Sequence, residues 1–349
     1  MKKFFLLLLL FFPITGKAEV KVTTHLIDSE IEIAGGLRVK ELIIFDGNIS
    51  DFSRTINYKM IDEIWDKKTI NLKSSAMYNG YSLENIQVAL LEAPKEISFE
   101  NIPKDLEYIN ELDPQKKNKD FYTNIKNNLG STVNIHYEGK EEKTALVLEY
   151  LVSNVIVSHE DINELNYTFK NLDLGANHTF IRVIIPYATD SDEFHYWVHG
   201  PSNGKLQELV SSSQNKIGVV TEFSNLKSDI NVRMTIPKDQ IAIDIYLNKS
   251  KVKALNDILK IEDTRLKKQS NNTTMLIIIK YILIALSSLF VLGSFVLIKY
   301  HDKSIFILYL ILGIILSSFN IVFKYHIIYL YFLIIVPLTI KLITKKRSK

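Results

Sequence analysis

No cysteine occurs anywhere in the 349 residues. Disulfides, thiolate zinc sites, iron–sulfur clusters, a cysteine nucleophile and a lipid-modified cysteine anchor are therefore excluded. Glycine and proline are scarce, at 13 and 8 residues, so the chain is neither fibrous nor low-complexity. Charge of one sign is also lacking. A net charge of +3 is far too mild for a dedicated nucleic-acid binder. There is no GxSxG, no P-loop, no HExxH and no GxGxxG after a strand. Ser–His–Asp triads need not be local in sequence, so an enzyme is not excluded by that. Mean hydropathy is close to zero, but this averages unlike segments.

The ends of the chain are apolar and basic. Lys2 and Lys3 precede an apolar run from Phe4 to Phe12, then Pro13 and Thr15-Gly16-Lys17-Ala18. This is the pattern of a signal peptide, residues 1–18, cut after Ala18. The run is too short to span ~30 Å of hydrocarbon. Three longer runs lie near the C-terminus, at 275–298, 304–323 and 326–343. The first two meet the length criterion for membrane helices, and the third tolerates its Pro337. Tyr281, Tyr300, Tyr325, Tyr329 and Tyr331 sit near run ends, as an aromatic belt would. A cleaved leader puts Glu19 outside, and three spans then put the basic tail 344–349 in the cytoplasm. The spans hold no Asp, Glu or Arg, which argues against a carrier role for this chain alone.

Net charge follows the same division. Residues 19–270 carry 30 basic and 38 acidic side chains, and residues 271–349 carry 9 basic and 1 acidic. An acidic outside and a basic inner fringe are hidden in the small total.

The middle of the chain, 19–250, alternates apolar and polar residues in many short runs. Strands are expected around Val20–Thr24, Leu37–Phe45, Ile86–Leu91, Ile97–Phe99, Val133–Tyr137, Thr144–Val152 and Val155–Val157. Others are expected at Leu165–Phe169, Thr179–Pro186, Phe194–Val198, Ile217–Phe223 and Ile230–Ile236. Turn residues punctuate them, among them Gly35-Gly36, Asn79-Gly80 and Pro201–Gly204. The expected fold is a mainly β, sandwich-like domain of one or two subdomains, followed by an α-helical membrane region of three spans. The charged stretch 103–128 is the candidate subdivision. Val252, Leu255, Ile258, Leu259 and Leu266 fall at helical spacing, so 251–270 reads as an amphipathic stalk helix or as a helix closing the β-domain.

Candidate chemistry is thin. His195 and His199 on a strand would stand ~13 Å apart, too far to share one zinc ion. Asp190, Asp192 and Glu193 around Ser191 supply half of a calcium loop, and a solvated hairpin tip explains them better. His159-Glu160-Asp161 reads as a surface turn. Six sequons occur in an Asn-rich chain and carry no argument. No catalytic, cofactor-binding or metal-binding residues are assigned, and no cofactor is expected.

Several segments match one family in order. They are Gly36–Ile43 with Glu41, Phe52–Ile56 with Arg54, Leu146–Val155, and Asp161–Tyr167 with Glu164. The most specific is Tyr196-Trp197-Val198-His199-Gly200-Pro201, with Gly204 closing the turn, and Leu255–Leu266 follows. In these the chain resembles the YciQ-like predicted bacterial membrane proteins, whose N-terminal extracytoplasmic domain is a domain of unknown function, DUF2207. The resemblance covers roughly residues 19–270 and implies a protein of the bacterial cell membrane. It marks Glu41, Arg54, Asp161, Glu164, Trp197, His199, Gly200, Pro201 and Gly204 as motif positions of unknown role. The expected partners are the lipid bilayer, an unknown protein or cell-surface ligand, and a membrane-protein partner, with no nucleic acid. The competing expectations are a surface enzyme acting on envelope polymers, motivated by Asp190, Asp192, His195 and His199, and an accessory subunit of a membrane complex.

Overall fold

A computed structural model describes residues 20–59, 80, 82–103, 105–112, 119–139, 142–270 and six isolated positions between 274 and 282. The leader 1–18, nearly all of the three apolar runs and the tail 344–349 lie outside the described residues. Among the described residues no helix is long and apolar enough to cross a membrane. The chain divides into two compact units, Met1–Glu262 and Asp263–Lys349.

The first unit is mainly β. Its strands are β1 (Lys21–Ile31), β2 (Leu37–Asp46), β3 (Asp51–Asn57), β4 (Leu83–Leu91), β5 (Tyr108–Glu111), β6 (Phe121–Lys126), β7 (Gly130–His136) and β8 (Ala145–Val152). They continue as β9 (Ile156–Ser158), β10 (Asn163–Phe169), β11 (Ala176–Thr189), β12 (His195–His199), β13 (Lys205–Val210), β14 (Lys216–Leu226), β15 (Ile230–Ile236) and β16 (Leu247–Lys249). Among the described residues they form an eleven-stranded sheet, ordered β13-β14-β11-β1-β2-β8-β4-β5-β6-β7-β3, and a five-stranded sheet, β12-β15-β10-β9-β16. A helix, α1 (255–270), follows.

Alternation explains how the layers stack, because residues two apart share a sheet face. On β2, Leu37, Val39, Glu41, Ile43 and Phe45 face one way, and all but Glu41 join the main apolar core. Leu42 and Ile44 face the other way, into a second cluster with Leu26, Ala145 and Val147 that Phe99, Ile102 and Leu106 cover. On the small sheet, Leu165, Tyr167 and Phe169 of β10 and Ile230, Val232, Met234 and Ile236 of β15 enter the same main core. The core therefore lies between the sheets. The opposite face of the small sheet is polar, carrying Glu164, Asn166, Asn231, Arg233 and Thr235, yet all of these but half-buried Asn231 are buried. A third, small cluster of Ile162, Ala254 and Ile258, flanked by Trp197 and Leu255, seats the first turns of α1 there.

Several expectations need correction. The run Ile97–Phe99 is irregular chain, and Phe99 instead lies under the Arg182 guanidinium, 4.3 Å from its ring centroid. The charged stretch 103–128 supplies β5 and β6 to the large sheet. The Asp190–Glu193 turn is not a hairpin tip: it carries the chain from β11 in the large sheet to β12 in the small one. The turn at Gly35 is as expected. Its φ of +87° is a left-handed conformation that only glycine adopts freely, and its N–H closes on the Glu32 carbonyl at 2.9 Å.

Candidate functional site

The ionisable side chains that a catalytic site would need are concentrated in two buried clusters. The first grows from β1, β2, β3 and β8. Their cross-strand register places His25 opposite Ile43 and Glu41 opposite Ile27, and both point into the main core. Glu41 Oε2 accepts from His25 Nε2 at 2.7 Å and from Arg54 Nε at 2.8 Å, while Oε1 accepts from the Tyr150 hydroxyl at 2.6 Å. All four side chains are buried. Burial pushes the Glu41 carboxyl up, but the Arg54 charge and the His25 and Arg54 hydrogen bonds outweigh it and hold it at about 2. Burial lowers His25, and Arg54 adds to that against the pull of Glu41. Its Nδ1 is buried with no partner. His25 is thus a neutral donor through Nε2, since a second proton on Nδ1 would have nothing to bond. Burial likewise pushes Tyr150 and Tyr167 up, so both stay phenols. One carboxylate faces one guanidinium, and the cluster is neutral.

The second cluster lies on the polar face of the small sheet. Arg233 is wholly buried and bridges two carboxylates, Nε to Glu164 Oε1 at 2.7 Å and Nη1 to Glu262 Oε1 at 2.7 Å. His159 Nε2 stands 3.0 Å from Glu164 Oε2, and His199 Nε2 stands 2.9 Å from Glu262 Oε2. Burial pushes both carboxyls up. Arg233 and His159 more than offset this at Glu164, and His199 and Arg233 do so at Glu262, so both lie below the usual range. Beside the cluster, Asp161 Oδ1 and Oδ2 accept from the Ala254 and Leu255 N–H groups at 2.8 and 3.2 Å. A carboxylate there satisfies orphan donors at the start of α1.

The motif positions divide between these two clusters and one turn. Glu41 and Arg54 meet in the first cluster, and Glu164 and His199 belong to the second. Asp161 caps α1, and Trp197 flanks the apolar seat of the same helix. Gly200, Pro201 and Gly204 form the turn after β12, with the Gly204 N–H on the Pro201 carbonyl at 3.2 Å. A Cβ at Gly204 would collide with the Phe223 ring. Sequence reasoning missed His25, Tyr150, His159, Arg233 and Glu262. His159 is not in a surface turn: it is 2% exposed and bonded to Glu164. His199 pairs with Glu262 on α1. His195, the fourth member of the enzyme hypothesis, is half-buried against Trp197 with ring centroids 5.8 Å apart, and burial and then Lys216 lower it. Among the described residues no three His, Asp or Glu side chains could hold a metal ion together.

One open cleft accompanies these clusters. Its volume is about 650 Å³, and it lies between the start of β1, the β10–β11 turn and the β14–β15 turn. Lys21, Lys227 and Leu174 line it, together with a Lys170–Asp229 ion pair at 3.2 Å. Asn171 forms its floor. The Asn171 N–H donates to Asp229 and its carbonyl accepts from Arg54 Nη1 at 3.4 Å, whereas its side-chain Oδ1 is buried without a partner.

Residues 38–263 match the family model described as the N-terminal domain of predicted membrane proteins, DUF2207. The chain belongs to that family. No curated protein matches it. Among solved structures, the chain is similar to a protein designated a candidate protease from Parabacteroides distasonis, at 9% identity and a TM-score of 0.33. That alignment covers 63% of this chain and 41% of the other, and it carries no argument about activity.

Proposed function

We propose that the protein is a multi-pass protein of the bacterial cell membrane. Its leader is cleaved, its β-rich domain stands outside, three spans follow, and the basic tail is cytoplasmic. The β-rich domain acts as a binding module for a protein or cell-surface ligand, and the spans anchor it or dock a membrane partner. The observation that supports binding over catalysis is the placement of the ionisable groups. Glu41, Glu164, Glu262, Arg54 and Arg233 are turned inward on one another, while the open cleft is lined by lysines, a carboxamide and carboxylates, one of them tied up in the Lys170–Asp229 ion pair. Its volume is that of an ordinary ligand site.

The test is site-specific photocrosslinking in intact cells. A photoreactive residue is placed at Leu174 or Lys227 in the cleft and, as a control, at Leu266 on α1. The expected result is a discrete crosslinked species from the cleft positions and not from Leu266. Recovery of the protein alone from all three positions would count against a binding role. Topology is tested separately by a C-terminal reporter, which the proposal requires to be active only in the cytoplasm.

A further inference from the structure

The described chain enters and leaves the β-unit at one end, and the open cleft lies at that end. Val20 and Lys21, where the chain runs into β1, line the cleft. The exit is set by register. Asn163 pairs with Ile236 at one end of the small sheet, and Asn231 pairs with both Thr168 and His199 near the other. The Ala254 N–H, just before α1, is bonded to Asp161 beside the first end, whereas Glu262 meets Arg233 and His199 towards the second. Between these points α1 advances towards the end where Lys170 and Asp229 carry β10 and β15 into the cleft. From Arg233 to Asp229 is four residues of extended chain, or ~13 Å. Beyond Glu262, residues 263–274 alone precede the first apolar run, and at a helical rise they span ~18 Å.

The cleft also runs against the charge of its domain. Residues 19–270 carry 30 basic and 38 acidic side chains, but the cleft gathers Lys21, Lys170 and Lys227. Asp229 is occupied, by Lys170 at 3.2 Å and by the Asn171 N–H at 2.9 Å. Lys21 and Lys227 are exposed and have no ion-pair partner among the described residues, and the carboxylate left to balance them is exposed Asp173. At the rim, Leu174 is 57% exposed. Cations in a recess, with a bare leucine beside them, match a phosphate that lies at an apolar boundary.

We propose that the cleft faces the bilayer and takes the phosphate of an anionic lipid headgroup. Lys21, Lys170 and Lys227 surround the phosphate, and Leu174 meets the apolar boundary. This names the ligand of the cleft to which binding is assigned above, and it rests on the outside placement of the β-domain proposed there. Headgroup binding holds the β-domain down on its own membrane, close to the point where the chain enters the first span.

The lack of cysteine allows a single-site label on the full chain. Leu174→Cys carries an environment-sensitive fluorophore. Ile245→Cys carries the same probe as a control, since it is 65% exposed and lies beyond the far end of β1, where the Tyr246 N–H bonds to the Ala34 carbonyl. The protein is placed in nanodiscs of phosphatidylcholine, with or without phosphatidylglycerol. With phosphatidylglycerol the Leu174 probe should brighten and shift to shorter wavelength, the Ile245 probe should not, and high salt should reverse the change. Each lysine near an anionic surface contributes about fivefold in binding, so Lys21→Gln with Lys227→Gln should weaken the response by about tenfold or more. Both side chains are exposed, so thermal unfolding of that double variant should match the parent. No response to phosphatidylglycerol, an equal response in phosphatidylcholine alone, or a double variant that responds like the parent would each overturn the headgroup assignment. The same shift produced by soluble glycerol phosphate in phosphatidylcholine would overturn it too, because it would make the ligand a free anion. Crosslinking of Leu174 to a protein in cells, with no nanodisc response, would keep the binding role and remove the headgroup. A C-terminal reporter active outside would instead remove the topology on which both rest.

Discussion

In the first buried cluster one glutamate faces one arginine. In the second, one arginine faces two glutamates. Both use the same three groups, and in both a histidine Nε2 meets a carboxylate oxygen. The surroundings differ. Glu41, His25, Arg54 and Tyr150 all sit on strands of the large sheet and are buried. Glu164, Arg233 and Glu262 tie two strands to a helix, and His199 reaches the surface. The first is a balanced, fixed cross-tie. The second joins the small sheet to α1 at a partly open edge. Connectivity and access, rather than residue type, separate the two clusters.

The comparison can be broken most forcefully at the arginines. Arg233→Met leaves two buried carboxylates facing each other, and Arg54→Met leaves one. Removing one partner of a buried ion pair costs roughly 3–5 kcal/mol. Arg54→Met should fall in that range, and Arg233→Met should exceed it in thermal unfolding of the full chain. Equal losses would mean that the surplus carboxylate is not felt.

Acid should affect the first cluster next. The Glu41 carboxyl is held at about 2 against a usual 4.5. A depressed carboxyl contributes stability that is fully present above its unfolded value and is lost as pH falls through the folded one. Between about pH 4.5 and pH 2 this loss should be on the order of 3 kcal/mol. His25 acts in the same direction from a higher pH, because its folded value lies below 6.5 and the unfolded chain takes up the proton first. Glu41→Gln should therefore flatten the acid limb of a stability-against-pH curve, whatever it costs at neutrality. An unchanged limb would remove Glu41 from acid denaturation.

Smaller effects sharpen the picture at α1. Asp161→Ala removes the acceptor for two helix N–H groups and should cost about 1 kcal/mol. Its unfolding transition should shift without changing shape with pH. Asp263→Asn breaks only an exposed pair with Lys267 at 2.6 Å. It should shift stability by less than about 0.5 kcal/mol, and a larger shift would give that surface pair an unexpected role.

The inter-sheet layers were legible because β2, β8, β11 and β14 alternate strongly or are apolar throughout. The strands missed by sequence were β3, β5, β6, β13 and β16. They are short, polar or at sheet edges, as in the Lys205–Val210 strand, where both faces are largely exposed. Resemblance singled out Glu41, Arg54, Glu164 and His199 but gave no partners for them. Two partners had a readable signal. His25 falls in phase with Ile27 and Ile31 on β1, and Glu262 falls four residues after Ile258 and eight after Ala254 on α1. Each is an ionisable residue at a core-phase position. Arg233 had none, because β15 is buried on both faces and phase says nothing there.

The charge state of His25 tests the account of the first cluster most directly. It can be read by NMR of the full chain carrying labelled histidine at about pH 6, assigned with single His→Gln variants. The account predicts a neutral His25 with its proton on Nε2. A charged His25 would contradict it.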